Sequence, residues 1–391
     1  MKTVGIAAEY NPFHNGHKYH MDSARAAADA ENVVIVMSGN YVQRGEPAIC
    51  DKYLRTRMAL SCGADLVLEL PVYYATASAG YFAGASVAVL DKSGIVDGMC
   101  FGSESGDLAA MERACEALLG EGETNKEVFK NLSGAGLSYP ASVAGSSGVE
   151  AGVWKPNQIM GILYLAALKR SGSKIVPCTV KRTGGERQDG YVSAAEIRRT
   201  LLDGASPPAE AMPDIVRGML PRRGELNSLD RFSQIFSYVI RTLPAERLRG
   251  ILDMDEGLEN RFLRISGENI LLSRIIEKVK TKRYVYTKLQ RAALHAALGV
   301  EKKDMALFRS LGGPLYIRVL GFRREKAGLL KLLAERSALP VVTNLKDAGK
   351  SLGAEAMRML EKEIVTTDAY YCAAGIPRRK NYEYVAPLVI V

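Results

Sequence analysis

Between Thr3 and Gly204 short apolar runs alternate with helical segments, and no other feature of the chain restricts its fold as strongly. "TVGIAAE", "NVVIVMSGN", "DLVLELP", "DGMCFGSE" and "SKIVPCTVKR" are brief and rich in β-branched or small residues, as buried parallel strands are. Between them, "HKYHMDSARAAADA", "KYLRTRMALSCGA", "ASAGYFAGASVAVLDKSG" and "PNQIMGILYLAALKRSG" read as helices, the last with Pro156 near its start and Gly172 near its end. "SAAEIRRTLLDG" closes the series as a short helix with Ser193 as its cap. Strands that alternate with helices pair in parallel through crossovers, so residues 1–204 are expected to form an α/β domain.

The pattern changes after "DGASPPAEAMP", where Pro207, Pro208 and Pro213 mark a boundary. Residues 205–391 read as a mostly helical domain, with "PLYIRVLGF" and "LPVVTNL" as short strands. No apolar run reaches the length of a bilayer span. The opening "MKTVGIAAEYNP" carries one lysine and breaks off at Glu9, Asn11 and Pro12, unlike a signal peptide, so the expectation is a cytoplasmic protein with no membrane partner. The cysteines are scattered without a C-x-x-C pair, which indicates neither a zinc site nor a disulfide framework. A net charge of +9 favours an anionic partner, nucleotide or nucleic acid.

Of only 4 histidines, three fall at His14, His17 and His20, directly after the first strand. Ligands of doubly wound sheets bind at the carboxyl ends of the strands, where this loop lies. Asn11, Pro12, Asn15 and Gly16 are turn residues, and Gly16 lets backbone approach a ligand closely. The helix that follows offers free N–H groups and a positive dipole end to a phosphate. His14 and His17 are three apart and can face one ligand, and as imidazolium groups they would stabilise charge on a phosphate. His20 lies a turn further on and reads by spacing as a bystander.

His14-Asn15-Gly16-His17, with a strand before and a helix after, resembles the HxGH nucleotidyltransferase superfamily. That superfamily uses its two histidines on ATP phosphates and closes its site with S-[ST]-T-x-[IL]-R. Here "VSAAEIRRTL" keeps Ser193 and Arg198 but has Ala195 in place of a threonine. Longer blocks are similar to one family, the bacterial tRNA(Met) cytidine acetate ligases. They are "GIAAEYNPFHNGHKYH", Val36–Pro71, "FGSESGD", "KPNQIMGILYL", "VKRTGG" and "KTKRYVYTKLQRAALHAALG". The resemblance implies a Rossmann-like nucleotidyltransferase domain and a basic RNA-binding second part. It also implies activation of acetate by ATP to acetyl-adenylate, then acetyl transfer to N4 of the wobble cytidine of elongator tRNA(Met).

Carried over residue by residue, the resemblance places ATP along Ala7, Ala8, Glu9, Tyr10, Asn11, Pro12, Phe13, His14, Asn15, Gly16, His17 and His20. Gly102, Asn157, Arg182 and Ser193 complete the site, and His14, His17 and Arg198 are the catalytic residues. In the loop "SGNYVQRGEP", Ser38, Asn40, Gln43 and Arg44 either orient substrate or serve as a hydrogen-bonded scaffold. Mg²⁺ is compatible with ATP, yet no carboxylate cluster marks a site, and Glu9 and Glu104 are weak candidates. For RNA, Lys280, Lys282, Arg283, Lys288 and Arg291 would meet phosphates, with Tyr284 stacking on a base. Two other functions share the motif: a small-molecule adenylyltransferase, and a non-catalytic RNA-binding protein with a regulatory nucleotide site. The oligomeric state is open.

Overall fold

The computed structural model describes residues 2–119, 156–182, 192–255, 257–267, 271–281 and 284–391. Its centre is an eight-stranded sheet. Strands β1 (Thr3–Ala8), β2 (Asn32–Ser38), β5 (Leu66–Leu70), β6 (Gly98–Ser103) and β7 (Val176–Lys181) form the parallel part, in the order β5-β2-β1-β6-β7. A two-stranded hairpin, β3 (Tyr41–Val42) and β4 (Glu46–Pro47), stands apart from it. Helices α1 (Asn15–Ala27), α2 (Lys52–Ser61), α3 (Val72–Ala75), α4 (Ala79–Lys92), α5 (Leu108–Leu119), α6 (Pro156–Ser171) and α7 (Ala194–Leu202) supply the crossovers.

Strand β2 shows why the sheet is covered on both faces. Val34 and Val36 enter one apolar core, and Val33, Ile35 and Met37 the other. Side chains alternate across a strand, so a run with no polar position must be buried on both sides. Gly5 in β1 is a packing glycine, since a Cβ there would come within 2.7 Å of Leu90.

The alternating pattern ends near residue 204, as read, but packing runs across that point. The strand read in "PLYIRVLGF" is β8 (Ile317–Phe322), and it lies antiparallel against β5 with Glu69 opposite Arg318. Its outer edge pairs with β9 (Val341–Val342) and β10 (Val389–Ile390), so three strands from the second half complete the first sheet. An open edge at β5 would leave a row of unpaired backbone groups, and β8 removes it. The proline-rich stretch is packed rather than loose, with Ala211, Met212 and Val216 buried against the α2 side. Helices Ser233–Thr242, Leu258–Ser266, Leu272–Val279, Tyr286–Leu298 and Lys302–Ser310 form a helical body whose core is continuous with that of α4 and α6.

A buried charge cluster joins these parts. Lys52 Nζ lies 2.5 Å from Glu69, 3.7 Å from Glu363 and in contact with Glu383. Arg318 lies 3.1 Å from Glu69 and also pairs with Glu383. Three carboxylates thus share two cations, and burial with the neighbouring Glu69 charge raises Glu363 to about 8. No helix among the described residues is long and apolar enough to cross a membrane.

Candidate active site

The first loop is fixed from behind by Arg55, a fully buried arginine on α2. Its guanidinium donates to Cys50 O at 2.9 Å, Glu9 O at 2.6 Å, Ser38 O at 3.2 Å and Gly39 O. Asn11 Oδ1 accepts the Ile49 N–H at 2.7 Å. Tyr10, Asn11, Pro12 and Phe13 are buried, and Tyr10 and Phe13 set their rings edge-on at 4.9 Å. Charged and amide side chains behind the loop thus satisfy backbone that would otherwise be buried unpaired.

His14 caps α1: its Nδ1 accepts the Gly16 N–H at 3.0 Å. That bond leaves the proton on Nε2 of the neutral ring. The ring of His17 stacks on it, with centroids 3.7 Å apart, and packs against Tyr10 and Phe13 on its other side. Gly16 is required for this arrangement, because a Cβ there would approach His14 Cε1 to 2.9 Å.

The sequence reading of these rings as imidazolium is corrected by their surroundings. Burial, then the charges of Arg182 and Arg198, depress His14 to about 4. Burial and the neighbouring His14, Arg182 and His20 hold His17 well below the ordinary value, and burial with Arg182 brings His20 to about 4. All three are neutral at pH 7 and serve as N–H donors instead of cations. His20 lies at the same strand ends: its Cδ2 is 3.9 Å from the position a Cβ would take on Gly102. His17 Nδ1 and His20 Nε2 are buried without a partner among the described residues, which suits a ligand rich in acceptors.

The strand ends complete the cleft. Gly102 on β6 leaves room for Arg182, whose Cγ lies 2.8 Å from that Cβ position. Arg182 follows β7 and donates its backbone N–H to Ser103 O at 2.8 Å. Arg198 on α7 donates to Asn11 O at 2.9 Å and pairs with Glu46 of β4 at 3.1 Å. Ser193 caps α7 as read, its Oγ accepting the Glu196 N–H at 3.2 Å. Asn15 donates to Glu210 O at 2.7 Å, and Asn157 stands in the first turn of α6 with its side chain outside the described residues. Ala7 and Ala8 end β1 beneath the loop.

The loop "SGNYVQRGEP" proves to be mainly scaffold. Asn40 accepts the Lys52 N–H at 2.8 Å and donates to Thr367 at 3.0 Å, and Ser38 is buried. Gln43 gives its N–H to Glu9 Oε1 at 2.9 Å and its side-chain amide to Ala77 O at 3.1 Å. Arg44 alone is exposed. Two participants escaped the sequence reading, Arg55 and Glu46. Neither belongs to a motif, and their roles depend on partners far away in the chain.

Metal-ligand chemistry finds little support. Glu104 accepts the Gln158 N–H at 3.0 Å at the start of α6. No group of three His, Cys, Asp or Glu side chains among the described residues is placed to hold a metal ion.

The residues read as an RNA surface divide. Lys280 is exposed. Lys288 is half-buried, 3.6 Å from Asp255 and over the Tyr284 ring. Tyr284 and Arg291 are corrected: Tyr284 is 4% exposed and Arg291 fully buried, with its Nε 2.9 Å from Asp253. One helix ends at Val279 and the next starts at Tyr286, with Arg291 on its buried side. Lys282 and Arg283 lie outside the described residues.

A loop and helix start that present paired histidines to the strand ends of a parallel sheet define a nucleotidyltransferase. The family model described as HIGH Nucleotidyl Transferase matches residues 1–383. Relatives and solved structures narrow this further. The tRNA(Met) cytidine acetate ligase of Acetivibrio thermocellus is 36% identical over 100% of both chains, and that of Fervidobacterium nodosum 37% identical over 88% of this chain and 84% of its own. The crystal structure of Thermotoga maritima TmcAL bound with alpha-thio ATP superposes with a TM-score of 0.88 at 30% identity, covering 100% of both chains. The apo form gives 0.89 at 29%. The chain belongs to the tRNA(Met) cytidine acetate ligase family.

Proposed function

We propose that this protein activates acetate with ATP and transfers the acetyl group to N4 of the wobble cytidine of elongator tRNA(Met). The observation that carries the reading is the stacked, neutral His14–His17 pair at the start of α1, with Arg182 and Arg198 beside it. ATP would lie along residues 7–20, its phosphates over the first turn of α1 and its adenosine toward Gly102 and Asn157. His14 Nε2–H and the His17 ring donate to the α-phosphate as a fifth oxygen approaches. Arg182, Arg198 and the Ser193 hydroxyl take the charge of departing pyrophosphate.

Acetate is already ionised near pH 7, so the first step needs alignment and charge stabilisation rather than a base. The C–O–P bond forms as the bond to pyrophosphate breaks. Mg²⁺, where it accompanies ATP, would neutralise phosphate charge there, with Glu9 and Glu104 as the carboxylates of the cleft that could meet it. Lys280 and the exposed face around it would meet tRNA backbone, and the target base would leave the anticodon stack to reach the cleft.

Labelled acetate, ATP and tRNA, each omitted in turn, test this reading. Pyrophosphate release that needs acetate, and label on cytidine that needs all three, are the expected results. Release that ignores acetate would indicate another adenylate acceptor and overturn it.

A further inference from the structure

The transfer half-reaction asks for something that adenylation does not. A cytosine N4 amine is a poor nucleophile until it loses a proton, and the base must be told apart from uracil, which carries O4 at that position. Glu9 meets both needs by position. It directly follows β1, in the loop that carries His14 and His17. Two anchors prevent its reorientation: Arg55 holds its backbone carbonyl at 2.6 Å and the Gln43 N–H holds Oε1 at 2.9 Å. Oε1 accepts the Gln43 N–H, and Glu9 forms no ion pair among the described residues.

A fixed carboxylate beside a triphosphate site is costly if ATP is all the site binds, since like charges repel. Nor does it belong to a metal-ligand cluster among the described residues. Burial raises its proton affinity, and Glu46 adds to the rise. The Gln43 N–H bond and the charges of Arg44 and Arg198 oppose it, and the Glu9 charge in turn raises the buried Tyr164 of α6. A carboxylate in that state is a better proton acceptor than an exposed one.

We propose that Glu9 receives the target cytosine, accepting the N4–H bond at Oε2 and taking the amine proton as the acetyl group moves. The inference rests on the acetate-ligase reading above. N4 bonds to the acetyl carbon, the carbon–oxygen bond to adenylate breaks, AMP leaves with that electron pair, and the proton passes to Glu9. Uracil would set O4 against the carboxylate and be rejected.

Glu9→Gln tests it. The amide oxygen keeps the Gln43 bond, so the NH₂ group faces the amine and neither accepts its hydrogen bond nor its proton. Two measurements separate the half-reactions: acetate-dependent exchange of pyrophosphate into ATP, and single-turnover transfer from synthetic acetyl-adenylate to tRNA(Met) across pH. Expected is a transfer rate about 100-fold lower, with the acidic limb of the wild-type pH profile gone. Exchange also falls, because Glu9 lies in the ATP-binding loop, but by a smaller factor than transfer, and a thermal melt shows that the variant folds. Glu9→Asp recovers part of the transfer rate. Transfer by Glu9→Gln within threefold of wild type and with the same pH profile would overturn the inference, as would an equal fall in both half-reactions. Wild-type protein that shows no acetate-dependent exchange removes the acetate-ligase reading itself, and this inference with it.

Discussion

Gly16→Ala isolates the orientation of the histidine pair from its chemistry. Both imidazoles remain, but the new methyl would lie 2.9 Å from His14 Cε1 and 3.1 Å from Nδ1, closer than carbon contacts allow. The ring must swing away, breaking its 3.0 Å bond to the residue 16 N–H and its stacking on His17. Loss of the cap costs about 1 kcal/mol of stability. Alanine regains about 0.8 kcal/mol over glycine within a helix, so the melting temperature should move by no more than about 2 °C. Activity should not be spared. Removing one aligned donor from a developing oxyanion costs about 100-fold, or about 2.7 kcal/mol. Acetate-dependent pyrophosphate exchange, measured beside thermal unfolding, gives both numbers on one preparation. His14→Ala and the double variant should each be about as slow as Gly16→Ala, because all three changes remove one interaction. Exchange by Gly16→Ala within threefold of wild type would refute the assignment of His14 as an oriented donor.

Lys52→Met leaves three buried carboxylates facing Arg318 alone and should cost about 3–5 kcal/mol in urea unfolding. Adding Glu383→Gln should return part of it, and a single-variant loss under about 1 kcal/mol contradicts the cluster's role. The histidines make an acid-side prediction. Their folded pKa values lie below the unfolded 6.5, so the unfolded chain binds more protons between about 4 and 6.5. Stability from this source is complete above 6.5 and is lost as pH falls toward 4, and His14→Gln should flatten that slope. Because the rings meet ATP as neutral donors, its binding near pH 7 should take up no proton, seen by calorimetry in buffers of different ionisation enthalpy. On the RNA side, Lys280→Ala should reduce the salt slope of tRNA binding by about one, whereas Arg291→Met should lower the melting temperature and leave the slope unchanged.

What the sequence disclosed was local. Five parallel strands were legible because each is a short apolar run closed by a turn residue, and Ser193 was legible as a cap because capping is settled within one turn. The HxGH pair was legible through its own spacing. The ionisation of those histidines was not, since it depends first on burial and then on Arg182 and Arg198, brought in from more than 160 residues away. The "basic" stretch misled for a related reason. Arg291 and Tyr284 have the composition of a surface, but both are buried, Arg291 against Asp253 and Tyr284 beneath the Lys288 ammonium. Arg55 and Glu46 carry no motif at all, and only tertiary structure gives them partners.

The strand order has a consequence for synthesis. Lys52 has left the ribosome long before Glu383 is made, and β5 must wait for β8, about 250 residues later, to cover its edge. Throughout that interval Glu69 is the one carboxylate of the cluster available to Lys52, and β5 carries an open strand edge. Closure of the sheet by residues 317–390 is therefore a late event in synthesis, and until it occurs the β5 edge is open to mispairing.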